Sequence, residues 1–348
     1  MIATGTIKPG VLRLLLALLF VTFFAAVAHA NEVQPGELED CGWEQYEPKN
    51  NLHCMHVRGN VYMLVGGGSN ITVQVGQRFV IVVDTGLPKY TDELIATIRR
   101  LTKLPVLFIV NTSSDLDHIG GNTKLSREGW ALPNAALGQN MEEEKDPSRL
   151  KMPTGAPIVV SDNTMNTTSD PTGKMSAIAF GKEGFKLYSK EPVFFFNMPK
   201  AHIDGDTLVL FRTSDVISAG DVFSTVGYPV IDQARGGSID GELDAVNSLI
   251  ELMVPREYEE GGTYVIPGHG RLSDRNDVVN YRDMLTIIRD RVRDMVKNGM
   301  TLEQVKAAKP TLDYDGRYGS DSGPWTTSMF IEAIYRDMAN EKNPQEKK

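Results

Sequence analysis

The chain has 348 residues, 41% of them hydrophobic and 8% aromatic, with a formal net charge of -9. That length accommodates an α/β domain with a helical extension. The acidic balance argues against nucleic acid or an anionic lipid surface as partner and leaves a small molecule as the expected substrate.

In chain order, Lys8 and Arg13 give a basic start and Leu14 to Val27 an unbroken apolar run. Ala28-His29-Ala30 then places small residues at both positions a signal peptidase reads. Residues 1–30 are therefore expected to be a cleaved signal peptide, and the mature protein to be periplasmic or secreted. The run is short for a membrane span and no second one follows, so no membrane partner is expected after cleavage. An uncleaved N-terminal anchor is the alternative. Residues 31–55 read as a polar arm. Cys41 and Cys54, the two cysteines of the chain, are expected to form one disulfide in an oxidising compartment. Closing so short a loop would contribute about 3 kcal/mol. The competing reading places Cys54 in a metal site with His53 and His56, which no second ligand cluster flanks.

Strand patterns follow at Val61–Val65, Ile71–Val75 and Phe79–Val83, with glycine-bearing turns between them. The third is apolar throughout, the mark of burial on both faces. Thr91 opens a helix whose Leu94, Ile95, Ile98 and Leu101 recur at helical spacing, and Val106–Val110 is the next buried strand. Strand, helix, strand is a crossover unit, so the class is α/β. Residues 120–174 are irregular, with one strand at Pro157–Val160, and the part from Thr123 to Lys174 is expected to wall the pocket. Further strands are expected at Ala177–Phe180, Val193–Phe196, Thr207–Phe211 and Val216–Ser218. Helices are expected at Gly241–Met253 and Asp277–Lys297. Thr301 with Gln304 reads as a capping box for another helix, which Pro310 stops. The tail after Asn340 is charged.

In α/β sheets, functional groups gather beyond the carboxyl ends of the strands. The segment Asn111-Thr112-Ser113-Ser114-Asp115-Leu116-Asp117-His118-Ile119-Gly120-Gly121-Asn122 begins there and presents two carboxylates and an imidazole within four positions. Such a loop alone is usually solvated surface. Here it has company: His202 in Ala201-His202-Ile203-Asp204-Gly205-Asp206, Asp221 after an apolar strand, and His269 in Pro267-Gly268-His269-Gly270. Imidazoles and carboxylates at the ends of separate strands are how a preorganised divalent-metal site is built.

The order strand-Asp-Thr-Gly, Asp-x-Asp-His-x-Gly-Gly-Asn, His-x-Asp-Gly-Asp, Gly-Asp-Val-Phe, Pro-Gly-His-Gly is similar to that of the metallo-β-lactamase superfamily, from about Val57 to Arg271. Tyr228-Pro229-Val230-Ile231-Asp232 and Gly236-Gly237-Ser238-Ile239-Asp240-Gly241 resemble its periplasmic hydrolase branch. The resemblance implies a four-layer αββα sandwich over residues 56–275 and a helical extension over 276–340, while the charged composition of residues 341–348 marks a disordered tail. The resemblance also implies one or two divalent metals at the sandwich edge, zinc first and iron or manganese as alternatives, and hydrolysis through a metal-bound hydroxide. Asp117 and His118 match the second half of the family's His-x-His-x-Asp-His signature, and Asp117 is the expected catalytic residue. Ser113 and Asp115 stand where that signature has histidines. One metal position is thus complete (Asp117, His118, His269, with Asp221 bridging). The other keeps His202 and Asp221, with Asp115 as a substitute ligand. Ser161-Asp162-Asn163 stands where relatives often place a site-lining histidine. The implied function is hydrolysis of a small ester, lactone, amide (a β-lactam included) or sulfate. The alternatives are a metal-poor binding protein on a retired hydrolase scaffold and an iron-dependent oxidoreductase. Should the depleted position have closed, Leu116 or Asp162 is the expected filler.

Overall fold

The computed structural model describes residues 52–129, 155–167, 177–188, 191–258 and 261–342. Four strands in antiparallel succession open the fold: β1 (His53–Arg58), β2 (Val61–Gly67), β3 (Ser69–Val75) and β4 (Val80–Val83). Helix α1 (Thr91–Leu101) then crosses over to β5 (Val106–Val110), parallel to β4. After α2 (Leu116–Ile119) and α3 (Asn122–Arg127), strand β6 (Ile158–Ser161), helix α4 (Asp162–Thr167) and strand β7 (Ala177–Phe180) complete a seven-stranded sheet in the order β1 to β7. The second sheet collects β8 (Glu183–Tyr188), β9 (Glu191–Met198), β10 (Asp206–Phe211) and β11 (Val216–Ser224). Helix α5 (Ile239–Leu252) leads to β12 (Tyr264–His269), which pairs parallel to β11 and sets the five-stranded order β12-β11-β10-β9-β8. The chain ends in α6 (Arg275–Lys297), α7 (Leu302–Ala308), α8 (Leu312–Tyr318) and α9 (Thr327–Lys342).

Side chains on a strand alternate between faces, and here the alternation sorts residues into two cores. Val193 and Phe195 of β9 and Val209 and Phe211 of β10 face the first sheet, meeting Val61, Met63, Ile81, Leu107 and Val159. Their neighbours Leu208 and Leu210, with Ile217 and Ala219 of β11, face the helices instead. There they pack on Leu243 and Val246 of α5, Tyr281, Leu285 and Ile288 of α6, and Phe330 and Ile334 of α9. The second sheet is thus buried on both sides, and the α/β sandwich has its helical C-terminal part packed on one face. Each fully buried Leu, Ile or Phe contributes roughly 1.5–3 kcal/mol of transfer free energy, so these two layers hold the strand ends in place. The expected capping box is present, and a second one, unmarked in the sequence analysis, opens α6. Asp274 and Asp277 box the start of α6, and Thr301 with Gln304 that of α7.

Several elements depart from the sequence reading. The arm expected over 31–55 already pairs as a strand from His53, opposite Val65 of β2. The strand expected at Val216–Ser218 runs on to Ser224, through a register shift at Gly220. β8, β12, α8 and α9 had no pattern strong enough to mark them. β12 contains Pro267, which an interior strand excludes, but β12 is the edge strand of its sheet, with only an isolated bridge from Val265 to Ser273 on its outer side. The expected signal peptide, Cys41 with its bond to Cys54, most of the expected pocket wall and residues 343–348 lie outside the described residues.

Candidate metal centre

The centre forms where β4, β5, β11 and β12 end. After β5, Thr112 donates from its backbone N–H (2.9 Å) and its hydroxyl (2.5 Å) to the carboxylate of Asp84, the residue that ends β4. Asp84 is itself buried and holds φ at +63°, an uncommon conformation for a non-glycine residue that Asp tolerates better than most. His118 Nδ1–H donates to Asp84 Oδ2 at 2.8 Å, which fixes the imidazole's orientation and tautomer. The His118 carbonyl accepts from Thr85, and Thr85 and Asn111 both bond Asn122, so the Asp115–Asn122 segment is tied down along its length.

Two glycines bring the other ligands in. Gly220 turns β11 with φ at +52°, and a Cβ there would lie 2.5 Å from Thr112, so the kink that aims Asp221 at the cleft requires glycine. At Gly268 a Cβ would stand 2.5 Å from Asp221 Oδ1, so only glycine lets β12 bring His269 alongside. The Asp221 carboxylate then stands between three imidazoles. Oδ2 is 3.2 Å from His118 Nε2 and 3.7 Å from His202 Nε2, and Oδ1 is 3.4 Å from His269 Nε2. Asp117 Oδ2 lies 3.4 Å from His269 Nε2.

All six residues expected as ligands converge, in two groups. Asp117, His118 and His269 can place one donor atom each within 4.8 Å of one another, and so can Asp115, His202 and Asp221. Asp221 spans both. The run His53-Cys54-Met55-His56 supplies no such group among the described residues; His56 Nε2 instead bonds the Gly59 carbonyl at 2.8 Å.

The donor set suits a divalent cation. His118 is fully buried, yet its Nε2 has no hydrogen-bond partner, since Asp221 lies off its donor direction. A buried ring nitrogen without a partner is costly unless it meets a cation or a water. Burial disfavours a charged His118, but Asp221 and Asp84 overcome that and hold its pKa well above the usual range. For His202, burial likewise opposes the charge. The Asp115 bond, with Asp206 and Asp221, outweighs it and pushes the pKa up to about 10. Asp221 is held well below the carboxylate range by those imidazoles despite its burial. Protonated imidazoles among carboxylates are what such a centre adopts without a cation, and a bound metal would displace those protons.

The depleted half holds a residue that sequence reasoning missed. Asp115 Oδ2 lies 3.1 Å from His202 Nε2, and Asp115 Oδ1 accepts a short charge-assisted bond from Arg235 Nη1. Ser113 Oγ only accepts from the Asp115 N–H at 3.3 Å, and so takes no ligand's place. Neither expected filler closes this half: Leu116 points into solvent at 62% exposure, and Asp162 is exposed at the start of α4. Asn163, near the position of the missing histidine, donates to Asp204 at 2.9 Å and braces the His202 turn. Sequence offered no signal for Arg235, which lies 120 positions from Asp115. The buried carboxylate of Asp84, ending an apolar strand, was a legible signal that went unassigned.

A two-sheet α/β sandwich that brings imidazoles and carboxylates together at one edge is the architecture of a candidate metal site. Residues 64–163 match the model of the Metallo-beta-lactamase superfamily. The structure is similar to the stereoselective inverting sec-alkylsulfatase Pisa1 from Pseudomonas sp., with a TM-score of 0.57 at 13% identity over 84% of this chain. The chain spans about half of that protein, 52% of its length. A metallo-beta-lactamase from Pontibacter korlensis aligns with a TM-score of 0.50 at 15% identity, over 68% of this chain and 99% of that one. At such identities the likeness is one of fold. No curated protein matches the sequence.

Proposed function

We propose that this protein is an exported metal-dependent hydrolase of a small ester, lactone, amide or sulfate, with its metal held by Asp117, His118 and His269 and with Asp221 alongside. The observation that carries the reading is the unpartnered, buried Nε2 of His118, locked in orientation by Asp84. A divalent cation held there supplies Lewis acidity, polarising a carbonyl, phosphoryl or sulfuryl oxygen and acidifying water. The chain's own contribution is positional. Asp84 and the Val230 carbonyl, which accepts from His202 Nδ1–H at 2.7 Å, each leave one ring nitrogen facing the cleft. Asp117, whose Oδ2 lies 3.4 Å from His269 Nε2, is the catalytic residue of this reading.

The substrate reading rests on what flanks the ligands. Leu116 and Val226 expose 62% and 64% of their surface and Val230 40%. Leu116 sits between two site carboxylates in sequence, Val226 packs beside Gly270, and Val230 bonds His202. Single exposed aliphatics are ordinary, but three on the segments that carry the site favour a substrate with an apolar group. That suits an alkyl or aryl ester, sulfate or lactone better than a polar amide. The test is a substrate panel of p-nitrophenyl esters, alkyl sulfates, lactones and a chromogenic β-lactam, run with zinc-loaded protein and with His118→Ala. Zinc-dependent turnover of at least one class, lost in the variant, is expected. Metal-free turnover, or turnover equal in the variant, would sink the reading.

One observation favours a second reading, a binding protein on a retired scaffold: Arg235 already neutralises Asp115. It is weaker because the other half of the cleft has no such substitute. The leader and the Cys41–Cys54 bond belong to the same proposal of export. Fractionation that finds unprocessed chain in the cytoplasm, or intact-mass analysis that finds two free thiols, would remove them.

A further inference from the structure

Asp115 and Asp117 sit two positions apart on one loop, yet their surroundings differ in kind. Asp115 is held from both ends. One oxygen meets His202 and the other meets Arg235, which also lies 3.4 Å from the Ser114 hydroxyl. Arg235 is not a wandering surface side chain. Asp232 accepts from its Nε at 2.7 Å and from its backbone N–H at 3.1 Å. The turn that carries it is fastened to the His202 turn: Asp232 N–H donates to the His202 carbonyl, and Asp204 N–H donates to that of Arg235. Gly236 supplies the left-handed step at φ +91°, and a side chain on Gly237 would collide with the His202 carbonyl at 2.1 Å. The guanidinium and His202 are therefore delivered together by one braced unit. Across the cleft, no arginine or lysine forms an ion pair with Asp117 or Asp221 among the described residues, and His118 Nε2 remains unpartnered.

We propose that Arg235 is the resident cation of the depleted position, so that this centre takes one divalent metal where its ligand geometry could hold two. The idea rests on the hydrolase reading above and deepens it. Asp115, His202 and Asp221 retain the separation a metal needs, and what excludes the ion is occupancy of Asp115 by a fixed positive charge. Charge agrees with this. A second ion would meet Arg235 at ion-pair distance of a shared ligand, with like charges repelling in a partly buried cleft. Arginine suits this role because it stays charged at every accessible pH and its planar fork is preset for a carboxylate. The absence of two family histidines is thus a replacement with a compensating charge, in place of simple decay.

The test counts zinc. Wild type, Arg235→Gln, Arg235→Ala and Arg235→Lys are each loaded with excess zinc, desalted and assayed for metal per chain by elemental analysis, with circular dichroism confirming the fold. Wild type and Arg235→Lys should hold one zinc, and the two neutral variants should rise toward two. Asp115→Asn placed on Arg235→Gln should return the count to one. One zinc throughout would overturn the proposal while leaving the hydrolase reading intact. Two in wild type would do the same, since the arginine would then exclude nothing. No zinc in wild type would overturn both. Because Arg235 is partly exposed on a short turn, the neutral variants are expected to fold, and two different ones guard against one failing.

Discussion

The two halves of the cleft start from the same loop and end in different chemistry. On one side His118 is buried and aligned by Asp84, and its Nε2 has only Asp221 Oδ2 at 3.2 Å, out of hydrogen-bond alignment. On the other, His202 is equally buried and aligned by a backbone carbonyl, but its second nitrogen already has Asp115, and Asp115 already has Arg235. Alignment of the imidazole is therefore common to both halves and does not distinguish them. What distinguishes them is whether the facing carboxylate has been given a permanent partner. A metal site can be closed at one end by a single salt bridge while the scaffold, the kinked strand and the second ligand turn remain built for it.

The comparison breaks most sharply at His118. His118→Ala should abolish tight metal binding and also leave buried Asp84 with Thr112 but without its imidazole donor, at about 1–3 kcal/mol of stability. Zinc titration and thermal unfolding read the two effects, and unchanged zinc affinity would mean the wrong ligands are named. A smaller loss is expected from Asp84→Asn. Asn tolerates the left-handed backbone at this position, so the fold should survive. The imidazole loses its anionic orienter, and zinc affinity should fall about 10–100-fold. Competition with a chromogenic chelator measures this, and a change under threefold would show that Asp84 serves the fold only.

The third contrast is in pH. In the metal-free protein the folded pKa of His202 is raised to about 10 from its usual 6.5. A raised folded pKa gives stability that is complete below 6.5 and is lost as pH climbs through 10. Asp206, buried and raised from 3.8 to about 7, acts in the same direction at lower pH. Chelator-treated protein should therefore melt at progressively lower temperature from pH 6.5 to 10, and zinc-loaded protein should slope less. A flat or rising melting curve for the metal-free form would contradict the protonated-imidazole picture. The smallest effect belongs to Asp115→Ala. It removes the partly exposed ion pair with Arg235, worth about 0.2–1 kcal/mol, together with the contact to buried His202, and should change zinc affinity by no more than about twofold. A loss as large as that of His118→Ala would place the metal on the other side.

The sequence carried the fold class because β4 and β5 are continuous apolar runs joined by an amphipathic α1, a pattern that a buried crossover satisfies. It also carried all six candidate ligands, since each lies in a polar, glycine-marked segment at a strand end. It missed β12, because Pro267 reads as a breaker until the strand's edge position is known. It missed α8 and α9, whose apolar residues complete a core shared with α5 and α6 and do not form a strong pattern alone. The pairing of Asp115 with Arg235 was beyond reach, because it depends on how two distant turns are stitched together by backbone hydrogen bonds. Asp84 is the instructive intermediate case. Its position after a buried strand was visible, but its service to His118 is a tertiary fact.

The most direct measurement is anomalous diffraction at the zinc edge from crystals grown with zinc. A single strong peak is expected among Asp117, His118 and His269, with none between Asp115 and His202. A peak at the Asp115–His202 side alone, or no peak at either, would contradict the assignment of the metal centre.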